Sequence, residues 1–316
     1  MKVQSLCVLG GTGFVGSHLV KHLANQGHRI TLLTRNREPH KVLGLLPGVT
    51  LREADIRDPK TLADQFAGCN AVINLVGILN GSEAEFRAVH AELPRRVAAA
   101  CQQASVPRLL HMSALNADPE GPSVYLRSKG EGEQAVLATE GLQVTVLRPS
   151  IIFGPDDSFF NRFAALLRIS PVLPLACPNA RFAPVYVGDV VAAFAAALAD
   201  PATAGQCYEL GGPRIYTLLE LVQYTARLIG CKRLIVGLSD TWSRRQAKLF
   251  ERLPGQPFTT DNYLSMQVDS VCWTDGLAAL GIESHSVEAI MPRHFQQQPV
   301  QRADRYSRFR TLAHRD

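Results

Sequence analysis

Hydrophobic residues in the first half of the chain fall into short continuous runs, separated by longer segments in which they recur with a helical period. Runs of this length bounded by turn residues are typical of buried strands, and helical segments between them are typical of βαβ units. The predicted strands cover residues 5–9, 28–34, 49–54, 71–75, 108–113 and 143–148. This alternation predicts an α/β fold with a doubly wound parallel sheet.

Helix limits can be read at several points between these strands. Gly27 and Gly68 follow helical stretches, where glycine adopts the left-handed conformation that ends a helix. Asp58 before Pro59 is a typical cap and first-turn pair, and Ser123 is expected to cap a helix that contains Tyr125.

The pattern changes after residue 150. Proline becomes frequent, and a mixture of short strands and helices follows, including the capping-box pair Thr217 and Glu220. We therefore predict a dinucleotide-binding domain over residues 1–150 and a smaller mixed domain over residues 151–316. Some strands of the second domain are expected to return to the main sheet. Its end is a basic tail containing Arg302, Arg305, Arg308, Arg310 and Arg315.

Composition narrows the function class. The chain has 316 residues, of which 46% are hydrophobic and 19% charged, as expected of a packed globular protein. Seven dispersed cysteines without a C-x-x-C pair predict reduced thiols, a cytoplasmic location and no metal site. No apolar run is long enough for a transmembrane segment. The arginine tail alone does not indicate nucleic-acid binding, and we predict none.

A glycine triplet directly follows the first predicted strand. In "GGTGFVG", Gly10 permits a tight turn, Gly13 lets a pyrophosphate approach the backbone, and Gly16 lets helix pack on strand. The strand, turn and helix context is what this motif requires. We expect the loop to bind a dinucleotide cofactor and to contact it also through Thr12, Phe14 and Val15.

The end of the second strand bears on which dinucleotide is bound. An NAD site needs a carboxylate there for the ribose hydroxyls, whereas this chain has Arg35 and Arg37. Guanidinium groups favour a 2′-phosphate, so the prediction is NADP(H), with NAD(H) and ordinary surface arginines as the alternatives. Asp55 and Ile56, after the third strand, are expected near the adenine ring, although Asp55 is equally explained as a loop carboxylate.

Tyr125 and Lys129 are four residues apart and share one helix face. A nearby ammonium favours the phenolate, so Lys129 is expected to lower the pKa of Tyr125 toward the working range. Ser113 ends the fifth predicted strand, at the edge of the sheet where such folds bind ligands.

Together, "GGTGFVG", "YLRSKGEGE", "LRPSIIFGP" and "FAPVYVGDVV" resemble the extended and atypical branch of the short-chain dehydrogenase/reductase family, which is NAD-dependent epimerase/dehydratase-like and has a Rossmann fold. The resemblance extends to about residue 213. Within the family, "NLVGIL", "HMSALNADPEGPSVYLRSKGEGE" and "RPSIIFGPDDSFFNRFAALL" most resemble the NADPH-binding accessory subunits of respiratory complex I and their bacterial relatives.

The resemblance implies roles for individual residues. Tyr125 would be the general acid/base, Lys129 would tune it and hold the nicotinamide ribose, and Ser113 would polarise a substrate carbonyl. Four further residues would lie beside the cofactor: Val76, Gly77, Pro149 and Ser150. One departure is His90, which stands where the family usually has an asparagine in the active tetrad. Histidine can relay protons, but it is also an ordinary packing or capping residue.

Two functions stay open at this point. One is an NADP-dependent reductase or epimerase acting on a small carbonyl or nucleotide-sugar substrate. The other is a cofactor-binding module that docks on a respiratory membrane complex, which would place a cytoplasmic protein at the periphery of the membrane. The first predicts a polar substrate cleft beside the sheet, and the second predicts a cleft filled by the smaller domain.

Overall fold

The computed structural model describes residues 3–253 and 256–295, so the predicted arginine-rich tail lies outside the described residues. Its main feature is a seven-stranded parallel sheet with the order β11-β6-β5-β4-β1-β2-β3. These strands are β1 (Ser5–Leu9), β2 (Arg29–Thr34), β3 (Val49–Glu53), β4 (Ala71–Asn74), β5 (Arg108–Met112), β6 (Gln143–Pro149) and β11 (Cys207–Leu210). The strand order reverses between β1 and β4, and ligands of doubly wound sheets bind at such a reversal.

The predicted α/β fold class is confirmed, with one strand more than the six that the sequence indicated. The seventh strand, β11, pairs with β6 from Cys207↔Val146 to Leu210↔Pro149. A strand of the second half was expected to return to this sheet, but its residues were not predicted. It has four residues, of which only Leu210 is fully buried. An edge strand this short has no hydrophobic run to reveal it.

Smaller strands lie in the second half of the chain. They form three two-stranded sheets that pair β7 (Ile152–Phe153) with β10 (Val185–Tyr186), β9 (Arg181–Phe182) with β12 (Tyr216–Thr217), and β8 (Val172–Leu175) with β13 (Leu234–Gly237). The first and third of these sheets are parallel, and the second is antiparallel.

Helices cover both faces of the main sheet and build the smaller part of the molecule. They are α1 (Phe14–Asn25), α2 (Pro59–Phe66), α3 (Glu83–Arg87), α4 (Leu93–Gln103), α5 (Val124–Leu137), α6 (Ser158–Ile169), α7 (Val187–Ala199), α8 (Leu218–Leu228), α9 (Asp240–Phe250), α10 (Thr260–Ser265) and α11 (Gly276–Ala279). Residues 287–295 are also helical. A π-helical turn, Ala88–Glu92, joins α3 to α4.

The predicted helix limits are observed. Asp58 accepts hydrogen bonds from two backbone N–H groups of α2, and Thr217 forms a reciprocal capping box with Glu220 at α8. Gly27 and Gly68 both have positive φ, +84° and +75°. These local signals predict helix limits because the hydrogen bonds of each cap join residues no more than three positions apart.

Three hydrophobic clusters make up the core. One lies between the sheet and helices α1 and α7, and another lies on the opposite face under α2 and α4. The third belongs to the second half of the chain and joins α6 and α8 through residues such as Phe160 and Leu221. No helix among residues 3–253 and 256–295 has both the length and the apolar character needed to cross a bilayer.

Candidate active site

The glycine loop fits closely between β1, β4 and α1. Gly10 has φ +74°, and a Cβ there would lie 2.9 Å from the backbone of Leu75. A Cβ on Gly16 would overlap the carbonyl oxygen of Gly10. Gly13 is the N-cap of α1 and has no side chain to cover the first N–H groups of the helix. Such an uncovered helix N-terminus is suited to an anion, and a pyrophosphate fits these residues.

The other loop residues named from the sequence differ in exposure. Thr12 and Phe14 are half-buried, Gly13 is exposed, and Val15 is buried in the core beneath the loop. Val15 therefore belongs to the core beneath the loop, and Phe14 packs partly against the same cluster. The prediction that Thr12, Phe14 and Val15 contact the cofactor stays a prediction.

Arg35 and Arg37 follow β2 and are both exposed. The turn that carries them is fixed by Thr34, whose hydroxyl donates to the carbonyl of Asn36 over 2.9 Å. Neither guanidinium forms a salt bridge with another side chain in the described part of the chain. Both remain available to a phosphate that binds beyond the end of β2.

Asp55 lies in the loop after β3 and is engaged by a neighbour. Its carboxylate accepts two parallel hydrogen bonds from the Arg57 guanidinium, which lower the pKa of Asp55 to about 2. Ile56 packs against the cluster under α2 and α4. The prediction that these two residues meet an adenine ring stays a prediction.

Helix α5 holds Tyr125 and Lys129 at the end of β5. Ser123 caps it by accepting from the Leu126 N–H, as predicted. Two glycines then let the helix approach its neighbours: a Cβ on Gly130 would overlap the backbone at Asp118, and one on Gly132 would overlap the His90 carbonyl oxygen. The helix therefore lies directly on the π-helical turn.

Lys129 is buried, and its Nζ donates to the Met112 carbonyl oxygen over 3.2 Å. Burial lowers the pKa of Lys129 to about 8, although the Glu133 carboxylate opposes this effect. A Cβ on Gly77 would lie 3.4 Å from the same Nζ. The backbone after β4 thus passes directly over the ammonium group.

The expected effect of Lys129 on Tyr125 is wrong for this structure. Burial raises the pKa of Tyr125 to about 12, and the Asp261 carboxylate contributes in the same direction. The sequence argument counted one neighbouring charge. In the folded chain, desolvation of the phenolate is the largest cause, a carboxylate adds to it, and the Lys129 ammonium is not among the causes.

His90 is held in place through both ring nitrogens. Nε2 accepts from the Ile78 N–H over 3.0 Å, so Nδ1 carries the proton and donates to Ser128 Oγ over 3.1 Å. The Ser128 hydroxyl in turn donates to the Tyr125 carbonyl. Burial and the Lys129 charge lower the pKa of His90 to about 2. This neutral imidazole joins the loop after β4 to α5 and has no nitrogen left for a proton relay.

Two buried polar groups at the end of β5 have no hydrogen-bond partner within the described residues: Ser113 Oγ and His111 Nε2. Asn74 donates to His111 Nδ1 over 3.3 Å, which leaves the ring proton on Nε2. Buried polar atoms are usually satisfied, so an orphaned hydroxyl at this edge fits a group that accepts from it. Asn74 and His111 were not predicted from the sequence, although each is an isolated polar residue in a hydrophobic run, "VIN" and "LLHMS" respectively.

Pro149 and Ser150 lie at the end of β6 and are both buried. The Pro149 carbonyl accepts from the Leu115 N–H. The Ser150 hydroxyl donates to the Ser270 carbonyl over 2.8 Å and approaches the Ser270 hydroxyl. Ser150 therefore joins the end of β6 to the segment around Ser270 by hydrogen bonds. Val76, half-buried in the loop after β4, donates its N–H to Asn74 Oδ1.

Helix α10 contributes residues that the sequence did not reveal. Asp261 accepts from the backbone N–H of Val124 over 2.6 Å and from that of Tyr125 over 3.2 Å. Ser265 donates to the Ser123 hydroxyl over 2.8 Å. Because these partners are more than 130 residues away in sequence, no local spacing could have indicated them. Among residues 3–253 and 256–295, no three His, Cys, Asp or Glu side chains are grouped to hold a metal.

Comparison with known proteins adds three findings. Residues 6–211 match the model of the NAD dependent epimerase/dehydratase family. The chain is 32% identical over 291 residues to the mouse mitochondrial NADH dehydrogenase [ubiquinone] 1 alpha subcomplex subunit 9, covering 89% of this chain and 77% of that protein. It is also 31% identical over 238 residues to the ceramide reductase of Caulobacter vibrioides, covering 74% of each.

Among solved structures, an NADPH-dependent quinone oxidoreductase from Escherichia coli, complexed with NADPH, superposes with a TM-score of 0.75. The match covers 92% of this chain and all of that chain, at 22% identity. At this level of identity, the similarity shows a shared fold.

Proposed function

Because the chain belongs to the NAD dependent epimerase/dehydratase family, we propose that it binds NADP(H) and reduces a substrate carbonyl. The proposal rests chiefly on the end of β5, where Lys129 donates to the carbonyl before Ser113 and the Ser113 hydroxyl has no partner in the described residues. Such an arrangement supplies a hydrogen-bond donor beside a buried cation, which suits an oxygen that gains negative charge.

The cofactor would be held by residues that fit its parts. The first turn of α1, entered at Gly13, suits the pyrophosphate, and the exposed Arg35 and Arg37 suit a 2′-phosphate. The backbone at Gly77 approaches the Lys129 ammonium, which is suited to a ribose hydroxyl. The bound dinucleotide would supply a hydride, and the chain would orient the cofactor and the substrate and provide a proton.

The state of Tyr125 favours reduction over the reverse chemistry. With a pKa raised to about 12, the phenol is protonated at neutral pH and can donate to a carbonyl oxygen. As the carbonyl carbon gains the hydride, its oxygen takes the Tyr125 proton and the product is an alcohol. The Ser113 hydroxyl polarises the same carbonyl, and the Lys129 ammonium lies at the same end of β5, where it donates to the Met112 carbonyl. An epimerase would begin by removing a proton from an alcohol, and a raised phenol pKa disfavours that step.

A second function has its own supporting observation. Helix α10 covers the first turn of α5 through Asp261 and Ser265, and His90 cannot relay protons. Both features suit a cofactor-binding module without turnover, as does the similarity to the mouse subunit. Such a module would dock on a respiratory membrane complex.

One experiment separates these functions. The purified chain is titrated with NADPH and with NADH, and the complex is incubated with carbonyl compounds and quinones while absorbance of the nicotinamide is recorded. We expect preferential NADPH binding and oxidation by at least one carbonyl. Tyr125→Phe is expected to abolish oxidation and leave NADPH affinity within about twofold, because it removes the phenol hydroxyl that would give the proton and changes the volume little.

Ser113→Ala is the companion variant, and we expect it to lower the rate constant for oxidation by about a hundredfold. Tight NADPH binding without oxidation by any compound would contradict the reductase and favour the module. Failure to bind either dinucleotide would contradict both.

A further inference from the structure

The small sheet of β8 and β13 has one side directed away from the core. Its register pairs Leu234 with Val172 and Val236 with Pro174. In a parallel pair these alternate positions share one face. All four are exposed, whereas Leu173, Leu175 and Ile235, which alternate with them, belong to or pack against the third core cluster. The outer face of this sheet is thus entirely apolar.

Helices α6 and α9 extend this apolar face on either side. Ile169, 83% exposed at the end of α6, comes three residues before Val172. On α9, Trp242 and Leu249, 58% and 59% exposed, lie seven residues apart on one helix stripe. Between them, Gln246 donates to the Pro174 carbonyl over 3.2 Å, which places this stripe beside β8. We refer to residues 166–175 and 232–252 together as the α6–α9 surface.

The same surface carries most of the unbalanced charge of the protein. Its two segments contain seven basic residues and two acidic ones: Arg168, Lys232, Arg233, Arg244, Arg245, Lys248 and Arg252 against Asp240 and Glu251. This excess of five equals the formal net charge of the whole chain, +5. Both acids are engaged within the fold, Asp240 by the Tyr263 hydroxyl and Glu251 by the Thr260 N–H.

We propose that the α6–α9 surface binds the face of a lipid bilayer that contains anionic phospholipid headgroups. Exposed aliphatic and tryptophan side chains surrounded by basic residues are the composition that lies in a membrane interface. On α9, Arg245 lies 5.0 Å over the Trp242 ring, so a cation and an aromatic side chain are presented side by side. The apolar side chains enter the acyl boundary while the basic residues meet the headgroups.

Other occupants fit the charge less well. A second copy of the chain would bring two like-charged surfaces together, which opposes pairing. The sequence of residues 296–316 contains five arginines and two aspartates, so the C-terminal tail is also repelled. An anionic lipid surface complements both the charge and the apolar side chains.

The two tryptophans of the chain permit a direct test. Trp273→Phe leaves Trp242 as the only tryptophan, and Trp242→Phe leaves Trp273, which is 91% exposed and belongs to a different part of the chain. Each variant is mixed with vesicles of phosphatidylcholine alone, or with about 30% phosphatidylglycerol added. We expect the Trp242 emission to shift to the blue with the anionic vesicles, and the Trp273 emission to stay unchanged.

Sedimentation with the same vesicles tests the two components of the surface. Arg245→Glu/Arg252→Glu, at two exposed basic residues that follow Trp242 and Leu249 of α9 by three positions each, should lower the partition coefficient by at least about tenfold, whereas the exposed control pair Lys21→Glu/Lys60→Glu should lower it by about twofold or less. Ile169→Ser should lower it by about threefold, and Leu45→Ser, at 82% exposure a matched control, should not. Circular dichroism of each variant checks the fold.

The proposal is overturned if the Trp242 emission does not respond to anionic vesicles, or if the control variants reduce sedimentation as much as the surface variants do. Equal binding to neutral vesicles would also overturn it, because headgroup charge would then have no part. A folded chain that ignores both vesicle types would leave this surface to a protein partner.

Discussion

The two halves of the candidate site differ in the groups that form them and in how those groups are held. The dinucleotide half, from the glycine loop to Arg35 and Arg37, consists of backbone and exposed side chains held by local turns. The half proposed for proton transfer, around the half-buried Tyr125 and the buried Lys129, is held by side chains and backbone from distant elements. The geometry of the first half therefore requires glycine at a few positions. The geometry of the second requires several side chains to form their hydrogen bonds together.

The largest effect is expected in the half that contains Tyr125 and Lys129, at Gly132. A Cβ there would overlap the His90 carbonyl oxygen, so Gly132→Ala must displace α5 from the π-helical turn. We expect it to lower the free energy of unfolding by about 3 kcal/mol. At Gly44 a Cβ would meet Leu51 at 3.7 Å, an ordinary contact, and Gly44→Ala should change stability by less than about 0.5 kcal/mol. Urea denaturation measures both, and an equal loss in both variants would refute the overlap.

Lys129 gives the next effect, with a defined dependence on pH. Its folded pKa, about 8, is lower than the ordinary lysine value of 10.5, so the destabilisation by the buried charge is at its maximum below pH 8. Stability should rise between about pH 8 and 10.5, where the unfolded chain binds the additional proton. Lys129→Met should remove this dependence and increase stability at pH 7 by about 2 kcal/mol, after loss of the hydrogen bond to Met112. Chemical denaturation at several pH values checks the sign. A variant that is less stable at pH 7 would contradict it.

A smaller effect tests the dinucleotide half alone. Arg35→Ser/Arg37→Ser should weaken NADPH binding by about tenfold, or 1.4 kcal/mol, because two cations near a 2′-phosphate are lost. NADH affinity should stay the same, since that nucleotide lacks the phosphate. Arg95→Ser, which removes an exposed guanidinium from α4, serves as the control. Fluorescence titration gives the affinities, and a parallel loss for both nucleotides would oppose the NADP assignment.

The smallest effect concerns the link between α10 and α5. Asp261→Asn keeps one acceptor and removes the negative charge, so it should cost about 1 kcal/mol of stability. It should also lower the pKa of Tyr125 from about 12, since the carboxylate contributes to raising it. Asp58→Asn, at the cap of α2, should have a similar cost without changing the phenol. Phenolate absorbance, measured against Tyr125→Phe, follows the titration, and an unchanged titration would remove Asp261 from the electrostatics of the site.

The same contrast explains how far the sequence could be interpreted. Hydrophobic runs, caps and the glycine triplet predicted six strands and the loop, because each is fixed by residues close together in the chain. Ser123 as the cap of α5 followed from the same kind of signal. The pKa of Tyr125 and the binding of both His90 nitrogens could not be predicted. They depend on burial and on partners such as Asp261 and Ser128, which only the tertiary structure brings near.

The contact between Asp261 and the first turn of α5 also bears on how the protein is synthesised. Its two hydrogen bonds join residues 137 and 136 positions apart, so a growing chain makes the sheet and α5 long before it makes the acceptor. Until residue 261 has left the ribosome, the N–H groups of Val124 and Tyr125 at the start of α5 lack this partner. Domains fold as they emerge, and here the amino-terminal half would be folded before its candidate site is complete. A prematurely terminated chain could therefore adopt the sheet and still not present Tyr125 in its final environment.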